Sequence, residues 1–238
     1  NYKGRGSATI LLDYHEKDSQ KRFKMVFGGF RKIDVYSSPD GINWKSEGFG
    51  GPIGGSIWYA SYNPFKNKFL FTMRDNMSFL SNARVARYVE VDNLQDTWKE
   101  WQSGGKGYRN YEEGQPIYWT LSDGLDLNYT KRKSDVYCAH LAPYESIMVN
   151  LMSIYHSGDG FNKRCSIHAG FSRDGFHFNR DTSENRKPLI PETAKKYYMI
   201  PTAGNILIVG ERIFIYYFYK SGSSMNSGVA TLRRDGFA

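Results

Sequence analysis

Three stretches of the chain repeat one pattern. Val35-Tyr36-Ser37-Ser38-Pro39-Asp40-Gly41, Ala169-Gly170-Phe171-Ser172-Arg173-Asp174-Gly175 and Ala230-Thr231-Leu232-Arg233-Arg234-Asp235-Gly236 align without gaps. Each is a strand-like run closed by Asp-Gly. That dipeptide is a strong turn signal, because Gly accepts positive φ and Asp bonds the backbone just after it. Trp44 and Phe178 follow the first two turns as aromatic starts of a next strand.

Two further strand-like runs precede each turn. They are Ser7–Tyr14 and Arg22–Gly29 before the first, Asp135–Tyr144 and Ser146–His156 before the second, and Met199–Val209 and Arg212–Tyr219 before the third. A fourth copy has lost its Asp-Gly: Ser56–Tyr62, Lys68–Arg74, Arg84–Asp92, then Asp96-Thr97-Trp98. Each copy therefore reads as strand A, tight turn, strand B, loop, strand C, turn, strand D. Trp44 and Trp98 stand 54 residues apart, Asp174 and Asp235 stand 61 apart, and residues 103–134 form an insertion between copies. Four-strand units at such a period describe β-propeller blades. The expectation is one all-β propeller domain of four-stranded antiparallel blades, with units at about 1–49, 50–102, 135–182 and 197–238. The rival is a β-sandwich with coincidental turns.

Composition agrees. In 238 residues, aromatics make up 16 % and hydrophobics 40 %, with 18 Tyr and 15 Phe, which favours strands over helices and excludes disorder. The net charge of +8 comes from Lys and Arg spread along the chain, not from a block. It reads first as a solvated basic surface and second as a hint of an acidic sugar; no nucleic-acid partner and no membrane span are expected. Cys138 and Cys165 fall on strands A and C of one blade, about 9.6 Å apart by strand spacing. A disulfide needs Cα atoms within about 7 Å, so they are expected to be unbridged. No metal-ligand spacing and no phosphate-cradling loop stands out, and no cofactor is expected. The chain begins without Met, which suggests upstream sequence; a secreted or periplasmic location is a weak expectation, and oligomeric state is not legible.

In a propeller, A-strand starts and B–C loops share one face, while A–B and C–D turns share the other. The Asp-Gly turns and Glu145 then lie on the far face, and the Asp-Gly turns read as structural. The candidates at the mouth are Asp135 and Tyr137 at the start of one strand A, Trp58 and Tyr59 at another, Arg74, Asp75, His156 and Lys220 at ends of B strands, and Arg84 at the start of a strand C. The insertion leads into Asp135 and adds Tyr108, Arg109, Tyr111, Tyr118 and Trp119, with Glu112, Glu113, Asp123 and Asp126. Carboxylates beside exposed aromatics suit a sugar site: carboxylates move protons, and flat rings stack on pyranose faces. Each has a plainer reading. Arg74 with Asp75 reads equally as a loop ion pair, Arg84 with Arg87 as a charged edge, His140 as a satisfied core histidine and His156 as solvated.

The segments SPDGINW, DVYCAHLAPYES, AGFSRDGFHF and VATLRRDGFA resemble a group of bacterial proteins related to glycoside hydrolase families 32 and 43. That resemblance implies five blades and three carboxylates around the channel: a nucleophile or base, a modulating Asp and an acid Glu. The sequence FTMRDN is similar to an Arg-Asp-Pro motif of those enzymes, with Asn76 in place of Pro, and so marks Asp75. Asp135 is the stronger candidate, Glu113 or Glu112 stands for the acid, and the base is expected outside the chain. The Asp-Gly turns also resemble the Asp-boxes of sialidases, which have one more residue between Asp and Gly. The expected function is a glycoside hydrolase acting on a carbohydrate. The alternatives are a non-catalytic carbohydrate-binding propeller and a sialidase-like enzyme for an acidic sugar using Arg74, Arg84 and Arg109.

Overall fold

A computed structural model describes residues 7–29, 32–52, 57–77, 83–100, 112–130, 133–157, 163–184 and 186–237. The fold is an all-β propeller type built of antiparallel blades. Its only described α-helix, α1 (Gly124–Thr130), has seven residues; no described helix is long and apolar enough to cross a membrane. The chain divides into two compact units, residues 1–120 and 121–238, with two blades in each.

In the first unit, β1 (Ser7–Leu12), β2 (Phe23–Gly29), β3 (Lys32–Ser38) and β4 (Lys45–Gly50) pair in chain order, as do β5 (Trp58–Asn63), β6 (Lys68–Met77), β7 (Ala83–Val91) and β8 (Ile117–Thr120). β3 alternates buried and open residues, as a strand with one covered face must, whereas all six residues of β5 are buried. The two blades meet at their A strands. The Trp58 amide donates to Ser7 Oγ and the Ala60 amide to Thr9 Oγ1, both at 3.3 Å. Leu11, Val26, Ile33 and Val35 of the first blade pack against Trp58, Phe69, Phe71 and Met73 of the second. Each such side chain, fully buried, contributes about 1.5–3 kcal/mol.

The position of the second blade's outer strand corrects the sequence reading. Strand D was expected to start at Trp98, but it is β8, drawn from the supposed insertion. Thr97 instead makes a parallel bridge to Gly51, and the Trp98 ring packs on Phe71 at 5.1 Å. Gly50 permits this approach: a Cβ there would lie 2.1 Å from the Leu94 carbonyl oxygen. Trp98 is thus an aromatic anchor for the core, and β8 takes the outer position of the blade.

In the second unit, β9 (Ser134–Tyr144), β10 (Ile147–Ser157), β11 (Lys163–Ser172) and the short β12 (Asn179–Arg180) form one blade. β13 (Tyr197–Val209), β14 (Arg212–Ser221) and β15 (Ser224–Arg233) form the other, with three described strands. The expected A strands thus agree with β1, β5, β9 and β13 to within two residues at each end. Val149, Leu151 and Ile167 pack against Met199, Ile213, Ile215 and Tyr217. Cys138 and Cys165 are buried free thiols, on the first and third strands of their blade as expected. The described residues hold four blade sheets, where the resemblance implied five.

Candidate functional site

The Asp-Gly turns are built the same way twice. Ser38 Oγ accepts from the Gly41 amide at 2.9 Å and donates to Asp40 Oδ1, which accepts from the amides of Ile42 and Asn43 at 2.8 Å each. Ser172 and Asp174 repeat every one of these bonds with Gly175, Phe176 and His177. Gly41 and Gly175 adopt φ of 75° and 79°, where a Cβ would be strained. The amides of Asn43 and Ile42 hold the Asp40 carboxyl well below its usual range. Asp174 is lowered too: partial burial opposes the shift, but bonds from His177 and Phe176 outweigh it. These carboxylates serve the turn, with Oδ1 of each taking three of its bonds. The third copy has Arg233 where the others have Ser, and closes instead through the Gly236 amide on the Arg233 carbonyl.

Glu145 lies in the A–B turn between β9 and β10, exposed, at φ 48°, with Arg234 donating to it at 3.2 Å. Each unit also carries a cavity at its turn end. In the first it is about 440 Å³, lined among others by Asp13, Glu47 and Tyr62; in the second it is about 820 Å³, lined among others by Tyr144, Arg212 and Phe237.

The opposite end of the second unit, where β9 and β13 begin, gathers four of the sequence candidates. Asp135 is buried at the second position of β9, directly opposite Tyr155. The next residues contain a bulge: Ser153 pairs with Cys138 and Ile154 with Val136, leaving Tyr137 out of register. A second bulge lies in β13, where Tyr197 pairs with Lys220 and the next pair is Ile200 with Phe218. Tyr198 sits in that bulge at φ 58°. The two displaced tyrosines meet, hydroxyl to hydroxyl, at 2.5 Å. The Tyr155 ring lies 5.9 Å from that of Tyr137, and Lys220 Nζ stands 5.4 Å over the Tyr198 ring. Bulges re-aim side chains and cluster beside active sites. A left-handed tyrosine costs on the order of 1–3 kcal/mol, so its surroundings hold it there.

His156, a candidate for binding substrate whose plainer reading was a solvated side chain, is buried, with Nε2 3.2 Å from Glu192. Arg164 donates to the other Glu192 oxygen at 3.0 Å. Burial pushes the Glu192 carboxyl up, but His156 and Arg164 together bring it below its usual range. Glu192 therefore stays ionised near neutrality and cannot act as a general acid. Sequence reasoning missed Glu192, Tyr198 and Lys196, because what brings them here is a pair of bulges and a connection, neither of which leaves a motif.

Asp123 and Asp126, read above as proton-handling carboxylates, are structural. Asp126 is buried and takes a bidentate pair from Arg180, at 2.9 and 2.5 Å. Burial raises its carboxyl, and Arg180 outweighs that, leaving it lowered. Arg186 spans both carboxylates, 2.9 Å from Asp123 and 3.3 Å from Asp126. Ser122 Oγ donates to the Ser134 carbonyl, so this network fixes the chain where it turns into β9 and Asp135.

In the first unit the candidates have different surroundings. Arg74 and Asp75 are not in a loop: β6 continues to Met77, and Asp75 pairs with Val85. Asp75 accepts from Arg87 Nε at 2.6 Å with both side chains shut off from water, at 0 % and 3 % exposure. Arg87 also donates to the Pro116 carbonyl and lies 3.9 Å over the Tyr118 ring. The idea that Arg84 and Arg87 form a charged edge is thereby corrected, since β8 covers β7 and Arg87 is buried. Arg84 pairs with Asn76 across β7 and β6. Trp58 is fully enclosed, its Nε1 donating to the Gly28 carbonyl, and Tyr59 is buried, so neither ring offers a free face for stacking. Trp119 packs on Tyr88 at 5.1 Å, Glu113 is exposed, and Glu112 pairs with Lys99. Tyr108, Arg109 and Tyr111 lie outside the described residues. Among the described residues, no group of three or more His, Cys, Asp or Glu is placed to hold a metal ion.

No family model matches the sequence, and no curated protein is significantly similar to it. Solved structures are. An N-acetylgalactosamine deacetylase from F. plautii, in complex with blood group B trisaccharide, matches with a TM-score of 0.57 at 12 % identity, over 96 % of this chain and 73 % of that one. A β-1,2-mannobiose phosphorylase from Listeria innocua, in complex with β-1,2-mannobiose, matches at 0.55 and 11 %, over 96 % and 57 %. A sucrose-6-phosphate hydrolase from Lactobacillus gasseri matches at 0.53 and 12 %, over 89 % and 39 %. The chain thus spans under two thirds of the second and third of these. At such identities the likeness shows the fold alone.

Proposed function

We propose that the chain is the propeller of a carbohydrate-active protein, a glycoside hydrolase or a close relative of one. Its sugar lies at the end of the second unit where β9 and β13 begin. One observation carries this reading: two bulges aim Tyr137 and Tyr198 at each other beside the buried carboxylate of Asp135. Tyr137 is itself buried, so the rings suited to hold a pyranose are the half-buried ones of Tyr155 and Tyr198 in front of it, and a carboxylate out of bulk water is suited to move a proton at the glycosidic oxygen or to stabilise the developing cation. The similar solved structures support the sugar class, since their names describe proteins that act on carbohydrates. In the general scheme a second carboxylate stands about 5–5.5 Å away for retention or about 6.5–9.5 Å for inversion.

A second reading, a binding propeller without turnover, is favoured by the state of the other carboxylates. Asp75, Asp126 and Glu192 are each held by an arginine. Incubation with a panel of chromogenic glycosides and polysaccharides, with affinity electrophoresis on the same polysaccharides, separates the two. Turnover that is lost in Asp135→Asn supports the hydrolase. Retardation without turnover supports the binding propeller. Neither turnover nor retardation on any sugar removes both.

A further inference from the structure

The end of the second unit that holds Tyr137 and Tyr198 is lined with cations seated on tyrosines. Lys220 Nζ stands 5.4 Å over the Tyr198 ring, Lys196 Nζ stands 5.2 Å over Tyr219, and the Arg164 guanidinium stands 5.7 Å over Tyr197. Arg164 is neutralised by Glu192. Among the described residues, neither Lys196 nor Lys220 has a carboxylate partner. At the turn end of the same unit Arg234 pairs with Glu145 and Arg233 with Asp235, while Arg212 has no carboxylate partner among the described residues and no tyrosine seat.

We propose that the sugar bound here carries an anionic group, and that Lys196 and Lys220 receive it. This rests on the reading of this end as the sugar site and adds its substrate class. A ring under an ammonium group holds it by its quadrupole and takes up none of its N–H donors. Both lysines are thereby positioned while their donors stay open to an acceptor. Register explains why they lie together: Lys220 pairs with Tyr197, the residue next to Lys196. The bulge that displaces Tyr198 places its ring beneath Lys220, so one backbone irregularity sets both the hydroxyl contact with Tyr137 and the seat of the cation. A neutral sugar gives no reason for two unneutralised ammonium groups beside the tyrosines; a carboxylate or phosphate on the sugar does.

The test is calorimetric titration of the chain with uronic-acid oligosaccharides, with the same oligosaccharides after carboxyl reduction, and with hexose phosphates. The expected result is that an acidic sugar binds at least about tenfold more tightly than its reduced counterpart, the scale of one charge-assisted hydrogen bond. Lys196→Gln with Lys220→Gln should abolish that preference. Arg233→Gln, at the turn end, should leave the preference intact. Preference for a hexose phosphate over the uronate supports the same two lysines, with phosphate as the anion. Equal binding of acidic and reduced sugars overturns the charge assignment and spares the sugar site, as does a preference that survives the double substitution. If no sugar of either kind binds, site and charge fall together.

Discussion

The hydroxyls of Tyr137 and Tyr198 lie 2.5 Å apart, each on a residue pushed out of register by a bulge in its own strand. One belongs to β9 and the other to β13, so the bond ties the start of one blade to the start of the next. Tyr198 reaches it only by adopting φ 58°.

That pairing is expected to behave as one interaction. Tyr137→Phe and Tyr198→Phe should each destabilise the chain by about 0.5–1.5 kcal/mol, the net worth of a hydrogen bond. The double substitution should cost little more than either single one, because the bond is lost once. Urea unfolding of the four proteins measures the coupling. Strict additivity would show that the hydroxyls do not depend on each other.

Asp75 and Arg87 form the most enclosed ion pair named here, and that predicts a phenotype in folding. Removing one partner of a buried pair strands the other charge, at a cost of about 3–5 kcal/mol. Arg87→Met should lower the urea midpoint steeply, and Asp75→Asn should also destabilise. If Asp75→Asn left stability unchanged while abolishing turnover, the sequence motif FTMRDN would have been the better guide and the structural role assigned to the pair would be wrong.

The parts of the fold legible in sequence were those written as local chemistry. The Ser-x-Asp-Gly turns declare themselves because each needs a hydroxyl, a carboxylate and a positive-φ glycine at fixed spacing. The A strands declare themselves as long apolar runs with short turns. Asp135 and Tyr137 were found because a strand start is a place the topology fixes. Trp58 was misjudged for the opposite reason: an aromatic at a strand start looks available until the neighbouring blade covers it. β8 was missed because Trp98 mimics the aromatic after the other turns, yet it fills the core and does not start a strand. Asp126 and Glu192 could not be separated from catalytic carboxylates by sequence, since Arg180, Arg186, His156 and Arg164 reach them from distant positions.

Two buried histidines predict how stability depends on pH. Burial lowers His140 to about 3, although a bond to the Thr202 backbone opposes this. Burial also lowers His168 to about 4, with Arg180 and Arg186 adding to the effect and Asp126 opposing it. Both are neutral when folded and have an ordinary value of 6.5 when unfolded. Their contribution is complete above pH 6.5 and is lost as pH falls toward their folded values, because the unfolded chain takes up protons that the folded chain refuses. Stability should therefore fall between about pH 6.5 and 4 through both histidines, and through His140 alone down to about 3, by up to about 1.4 kcal/mol per pH unit for each. Carboxylates such as Asp126 and Glu192, whose values are lowered, add losses mainly below that window. His168→Gln should flatten the slope between pH 6 and 4.5 in urea titrations. An unchanged slope would mean that His168 takes up its proton in the folded chain as readily as in the unfolded one.

Asp135 and Glu145 mark opposite ends of β9 and should differ in what their loss does. Asp135 is buried opposite Tyr155, beside the displaced Tyr137; Glu145 is exposed in the turn and paired with Arg234. At about 3.3 Å per residue the strand separates them by roughly 30 Å, too far for one active site. On a substrate found by the glycoside screen, Asp135→Asn should lower turnover by a factor of about 100 or more, the scale of acid–base catalysis, with the urea midpoint reported alongside to exclude unfolding. Glu145→Gln should leave turnover within a few-fold. It should also have little effect on stability, because an exposed ion pair contributes about 0–1 kcal/mol. Loss of turnover in Glu145→Gln with Asp135→Asn still active would move the site to the turn end, where the cavity of about 820 Å³ lies between Tyr144, Arg212 and Phe237.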